Sequence, residues 1–202
     1  MKKTFIFFYL ITISTFSQTK ELCDIAFSKK ENFEILKIFK DKIPNKFEII
    51  DSTETWNPKT FYLENTNLDD QNVMKEINKD EHHPYHFAYL FADKSLNKLI
   101  ENSEKVKLSK VAIEIKSKKI SLKGENYETV KKFNKKKGFY FLITEPIYST
   151  NRNYAFLDIS IKKKDKFLGE KIDDYFGNII IMFLKNENGN WEQIGIKRNV
   201  IL

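Results

Sequence analysis

The sequence predicts an α+β fold, with N-terminal helices packed on one face of a C-terminal four-stranded antiparallel meander. Three observations predict it. Between Tyr154 and Ile161, Ala155, Leu157, Ile159 and Ile161 alternate with Tyr154, Phe156, Asp158 and Ser160. That period of two, apolar on one side and mixed on the other, is the pattern of a half-covered strand. Asn188-Gly189 lies between an apolar run ending at Leu184 and a segment opening at Trp191, and both residues accept the positive φ of a tight hairpin. Upstream of residue 138 the apolar residues recur instead at three- and four-residue intervals, the spacing of helices whose stripe the sheet face would cover.

The first 17 residues read as a signal peptide. Met1-Lys2-Lys3 is a positive start, Phe5 to Ile13 an apolar stretch, and Thr15-Phe16-Ser17 sets small residues at −3 and −1 for cleavage before Gln18. The apolar stretch is too short to span a bilayer, which takes about 20 residues. Cys23 is the only cysteine. Lys20 and Leu22 stand where a lipid-attachment motif needs an aliphatic and a small residue, so Cys23 reads as a free thiol and the fold rests on its core. Residues 18–202 are then one domain, helical over about 31–134 and sheet over about 138–202. The net charge is +7; without Lys2 and Lys3, 33 basic residues face 28 acidic ones, or +5. Only Arg152 and Arg198 are arginine, so the lysines read as a solvated surface and not as a nucleic-acid interface.

The helical pattern opens at Glu31 to Ile43, with Phe33, Leu36 and Phe39 in phase and Pro44 as the stop. Lys46 to Ile50 is a short strand, and Asp51 to Thr60 a turn-rich passage around Trp56 and Asn57-Pro58. Leu68 to Asn78 suits a helix capped by Asn67, with Asp69 and Asp70 in its first turn. Tyr85 to Ala92 is apolar and aromatic without a deciding period. Asp93 caps Lys94 to Glu101. Ser103 caps a helix with Leu108, Val111, Ala112 and Ile115 as its stripe. Lys119 to Leu122 is a short strand, and Asn126 to Asn134 is helical through Tyr127, Val130 and Phe133. In the meander, Ile179 to Leu184 is apolar on both faces and therefore central, and the charged connection Lys162 to Gly177 projects as an extended hairpin or loop.

Thr144-Glu145-Pro146-Ile147-Tyr148-Ser149, Tyr154-Ala155-Phe156 and Asn188-Gly189-Asn190-Trp191-Glu192 together resemble the C-terminal pattern of small exported proteins of uncharacterised function from Bacteroidota. In those proteins a meander closes in an Asn-Gly-x-Trp hairpin. The resemblance covers roughly residues 93–202. It implies export and the meander, and it brings no activity and no catalytic residues.

Two constellations are candidates for chemistry. Glu81-His82-His83-Pro84-Tyr85-His86 holds every histidine, and His82, His83 and His86 are possible metal ligands. Pro84 prevents the helix that would align His82 with His86, so the segment reads first as a polar loop. If Thr150 to Asn153 is a four-residue loop, Ser149 faces Tyr154 and the register sets Glu145 opposite Asp158, a possible acid–base pair. Asp173-Asp174-Tyr175 sits on the projecting hairpin. Trp56, Tyr62, Tyr140 and Trp191 are candidate groove residues, more simply read as core. No nucleophile elbow, phosphate-binding glycine loop or dinucleotide fingerprint is present in the sequence.

These features point to a non-enzymatic exported domain that binds a protein or small ligand in the cell envelope, with no cofactor and no nucleic acid. The alternative is a hydrolase-like enzyme using Glu145 and Asp158, or a metal on His82, His83 and His86. A third class is a structural or toxin-neutralising envelope protein.

Overall fold

The computed structural model describes residues 17–39, 42–57, 60–61, 90–132, 139–167 and 170–200. The expected signal segment before residue 17, the helix expected over Leu68 to Asn78, and His82, His83 and His86 lie outside the described residues.

Residues 17–28 form a helix (α1) whose buried side chains Leu22, Cys23, Ala26 and Phe27 follow helical spacing. A 3-10 helix, Lys30–Phe39, follows, bent where Phe33 leaves helical geometry. Strand β1 (Phe47–Ile50) comes next. A short helix α2 (Lys94–Asn97) is capped by Asp93, whose Oδ1 accepts the Ser95 N–H at 2.8 Å and the Leu96 N–H at 3.3 Å. Helix α3 (Asn102–Glu114) follows. Its cap is Glu101, which makes no side-chain capping bond, where Ser103 was expected. Its buried face is Lys105, Leu108, Ser109 and Ala112, and Val111 is 41% exposed. The stripe is rotated because Lys105 turns inward to Asn97 and Asn102 and lies over the Phe91 ring.

The remaining strands are β2 (Tyr127–Val130), β3 (Phe139–Ile143), β4 (Ile147–Tyr148), β5 (Tyr154–Phe167), β6 (Glu170–Lys185) and β7 (Trp191–Val200). They form one seven-stranded sheet in the order β2-β1-β3-β5-β6-β7, with β4 paired to β5. The fold is α+β as expected, and β3, β5, β6 and β7 run antiparallel as the meander. The sheet is nevertheless mixed and larger than four strands, because β1 lies parallel to β3 and β2 parallel to β1. The helix expected over Asn126 to Asn134 is β2 at Tyr127–Val130, paired residue for residue with β1. Its three-residue spacing was overridden by the edge that β1 offers, and the Tyr127 hydroxyl is anchored to Asp24 Oδ1 at 2.9 Å. The charged passage Lys162 to Gly177 continues β5 and β6 as a long hairpin, paired out to Phe167 and Glu170 after a bulge at Ile161/Lys162.

The sheet is covered on both faces, not one. On the first face, Leu157, Ile159, Ile179, Ile181, Phe141 and Phe183 pack against α1 and the 3-10 helix. Phe33 and Phe47 sit with ring centroids 4.2 Å apart at its centre. On the second face, Phe156, Ile180 and Met182 pack against Trp56, Phe61, Phe91 and the helices α2 and α3. Leu96 lies so close to β7 that a Cβ on Gly195 would come within 2.4 Å of its Cδ2. The sequence pattern of β5 is therefore that of a fully covered strand, with Phe156 serving the second layer and Asp158 and Ser160 buried beside it.

Each face holds its own aromatic anchor, so two truncations separate a two-sided sheet from a one-sided one. Phe141→Ala and Phe156→Ala are each expected to cost about 3–5 kcal/mol. The check is the urea midpoint followed by circular dichroism. A near-neutral Phe156→Ala would mean that the second face is not a core.

Candidate functional site

The hairpin register expected from a four-residue loop is present at the tip. Ser149 N–H donates to the Tyr154 carbonyl at 2.9 Å, and Ile147 and Tyr148 pair with Phe156 and Ala155. Lower down it changes. Ile143 pairs with Ile159, and Thr144 N–H donates to the Asp158 carbonyl at 3.0 Å. One extra residue lies between Ile143 and Ile147 relative to the facing strand, so the strand bulges. Thr144, not Glu145, stands opposite Asp158, and the expected Glu145–Asp158 pairing is corrected. Glu145 Oε1 instead accepts from Lys118 Nζ at 2.5 Å, and its carbonyl accepts the Trp56 indole N–H at 2.7 Å.

Asp158 heads a buried polar row on the second face. Asn178 Nδ2 donates to Asp158 Oδ1 at 2.7 Å, and Asn199 Nδ2 donates to Asn178 Oδ1 at 2.9 Å. Asn199 Oδ1 is buried without a partner. Ser160, in register with Asn178, is buried in the same row. The acid that acts on Asp158 is Glu54, which lies there because the chain after β1 runs on beside Thr144. Glu54 itself is paired with Lys162. Burial pushes the Asp158 carboxyl up to about 7; the Asn178 hydrogen bond opposes this, and the Glu54 charge adds to it. On β7, burial holds the Lys197 ammonium below its ordinary range, against the attraction of Asp93.

A second, open feature lies where α3 meets the β4–β5 loop. A cleft of about 540 Å³ is lined from the helix side by Leu99, Ser103, Glu104 and Lys107, and from the loop side by Ser149 to Asn151, Asn153 and Tyr154. Glu104 Oε1 accepts the Thr150 N–H at 2.6 Å and ties loop to helix. Asn151 Oδ1 accepts both the Ser149 hydroxyl, at 2.7 Å, and the Asn153 N–H, at 3.0 Å, so the loop is shaped by its own side chains. Arg152 holds φ at 56°, the single non-glycine residue in the left-handed region among those described.

The other candidates separate. Trp56 belongs to the second core and Trp191 to the first, so the aromatic residues do not share a groove; Tyr62 is outside the described residues. Asp173 and Asp174 stand opposite Lys164 and Lys163 in the hairpin register. Cys23 is free and fully buried, and burial pushes its thiol up. The pattern did not reveal Glu54, Asn178 and Asn199. Asn178 was within reach, since once β5 and β6 are joined it falls on the Asp158 face.

Because the folded chain keeps a proton on Asp158 that the unfolded chain releases near pH 4, stability falls as pH rises from about 4 to about 7. The loss across that window is on the order of 4 kcal/mol. Asp158→Asn, which keeps the acceptor for Asn178, is expected to flatten the dependence and to exceed the parent protein in stability above pH 7. Urea unfolding at several pH values measures it, and an unchanged slope would place the proton elsewhere.

No family model, no curated protein and no solved structure matches the chain.

Proposed function

We propose that the protein is an exported, non-catalytic binding domain of the cell envelope, and that it receives its ligand in the cleft between α3 and the β4–β5 loop. One observation carries this reading. At this cleft, side chains from two distant stretches, residues 99–107 and 149–154, converge on open space around a loop already held in shape. Arg152 supports it, because left-handed backbone at a residue other than glycine or asparagine costs about 1–2 kcal/mol and such strain concentrates at functional loops.

Export rests on the signal pattern and on the resemblance to exported Bacteroidota proteins. Cleavage before Gln18 leaves every buried side chain of α1, from Leu22 onward, in the core. Among the described residues no helix is long and apolar enough to cross a membrane. The carboxylate form of the hydrolase-like alternative needs Asp158 to meet a substrate, and Asp158 is 5% exposed with its Oδ1 occupied by Asn178; the form with a metal on His82, His83 and His86 falls outside the described residues.

Titration of the 15N-labelled protein with fractionated envelope extract tests the reading. Amide shifts are expected to cluster at Glu104, Thr150, Asn151 and Asn153. Shifts clustering at Thr144, Asp158 and Asn178 instead would move the function to the buried acid. Arg152→Asn, which accepts the same backbone more readily, is expected to raise the melting temperature by about 2–4 °C while weakening whatever the extract delivers. A lower melting temperature would show that the loop is not strained at this residue.

A further inference from the structure

The lining of the cleft selects among ligand classes, and the selection rests on the cleft being the binding site. Two carboxylates, Glu101 and Glu104, stand at it against one ammonium, Lys107. Burial alone would raise the Glu104 carboxyl, but the hydrogen bonds from Thr150 and the charge of Lys107, 3.5 Å away, outweigh it and hold the group below its ordinary range. The cleft is thus anionic, and a phosphate, sulfate or uronate meets repulsion there. A compact cation fares little better, since Glu104 is already occupied by Thr150 and Lys107 and Glu101 is a solvent-exposed carboxylate, where a single ion pair is worth little. A wholly apolar ligand would strip water from Ser103, Thr150 and Asn153 without returning a hydrogen bond. What remains is an uncharged molecule with hydroxyls on its rim and a hydrocarbon face for Leu99 and the Tyr154 ring.

We infer that the cleft binds a neutral saccharide. A pyranose ring has that construction, with C–H groups on one face and equatorial hydroxyls around the edge. Leu99, 43% exposed, and half-buried Tyr154 supply the apolar floor. The exposed Asn153 and Ser103 supply donors and acceptors from the loop and the helix. The volume falls in the range of about 300–1,000 Å³ typical of small-ligand sites. The loop is pre-ordered by Asn151, which lowers the entropy lost on binding a flexible polyhydroxyl compound.

Calorimetric titration of the purified protein with maltotetraose, cellotetraose and chitotetraose tests it, with a hyaluronan tetrasaccharide and tetralysine as charged competitors. At least one neutral tetrasaccharide is expected to bind more tightly than either charged compound. Ser103→Trp fills the cleft from an exposed helix position, and Asn153→Ala removes an exposed amide. Each is expected to raise Kd at least tenfold with an unchanged circular dichroism spectrum. Co-sedimentation with insoluble cellulose and chitin distinguishes a polymeric neutral glycan from a free oligosaccharide, and either source supports the assignment. No binding by any neutral tetrasaccharide, tighter binding of a charged competitor, or indifference to both variants would overturn it. If the saccharides fail while envelope extract still shifts Thr150 and Asn153, the ligand class falls and the cleft stands; if the extract shifts neither, both fall.

Discussion

The bulge between Ile143 and Ile147 is the constraint on which the arrangement of the second face depends. Residues four apart along a regular strand share a face. Here Ile143 lies in the first core and Ile147 in the second, because the extra residue reverses the alternation between them. Without it, Ile147 would leave Phe156 and Trp56, and the hairpin tip would turn away from α3. The bulge also frees a carbonyl. Glu145 offers it to the Trp56 indole, whose N–H would otherwise be buried without an acceptor. One inserted residue thus positions the tip, satisfies a buried tryptophan, and removes the Glu145 carboxylate from Asp158.

The polar row answers a different need. Ile179 to Phe183 is apolar on both faces of β6, so hydrophobic pattern alone sets its register weakly. A slip would bury much the same surface. The bonds from Asn178 to Asp158 and from Asn199 to Asn178 hold in only one alignment, and they lock three consecutive strands at one level. Burying an acid is costly, and Asp158 meets that cost by keeping its proton near neutral pH instead of carrying a charge. The row is a register device with a titratable member.

The sequence made the antiparallel half of the sheet legible, because alternation in β5, the double-sided run in β6 and Asn188-Gly189 are local signals that tertiary context did not overturn. The parallel half was not legible. Tyr127–Val130 has no pattern of its own that demands a strand, and it becomes one by pairing with β1, some eighty residues earlier in the chain. The second core was missed for a related reason. Phe156 looked like the exposed side of a half-covered strand until Phe61 and Phe91 arrived from elsewhere to cover it. At the candidate site, the loop length and its register could be read directly. The bulge could not, since Thr144-Glu145-Pro146 reads equally well as straight strand.

Buried Asp158 and left-handed Arg152 both cost stability, and they differ in whether the fold explains them. Buried Asp158 is explained, since it fixes an alignment that the surrounding isoleucines leave open. Arg152 is not. Asparagine or glycine would form the same turn with less strain, and asparagine stands on either side of it, at 151 and 153. The Arg152 side chain is exposed, and what reaches the core from it is its charge on the hydroxyl of partly buried Tyr148. Arg152 is a strained residue on a loop tied by Glu104 to a helix, between Asn151 and Asn153, which line the open cleft, and strain of this kind concentrates at functional loops. That contrast supports the proposal of a ligand at the hairpin tip and leaves the buried acid to the fold.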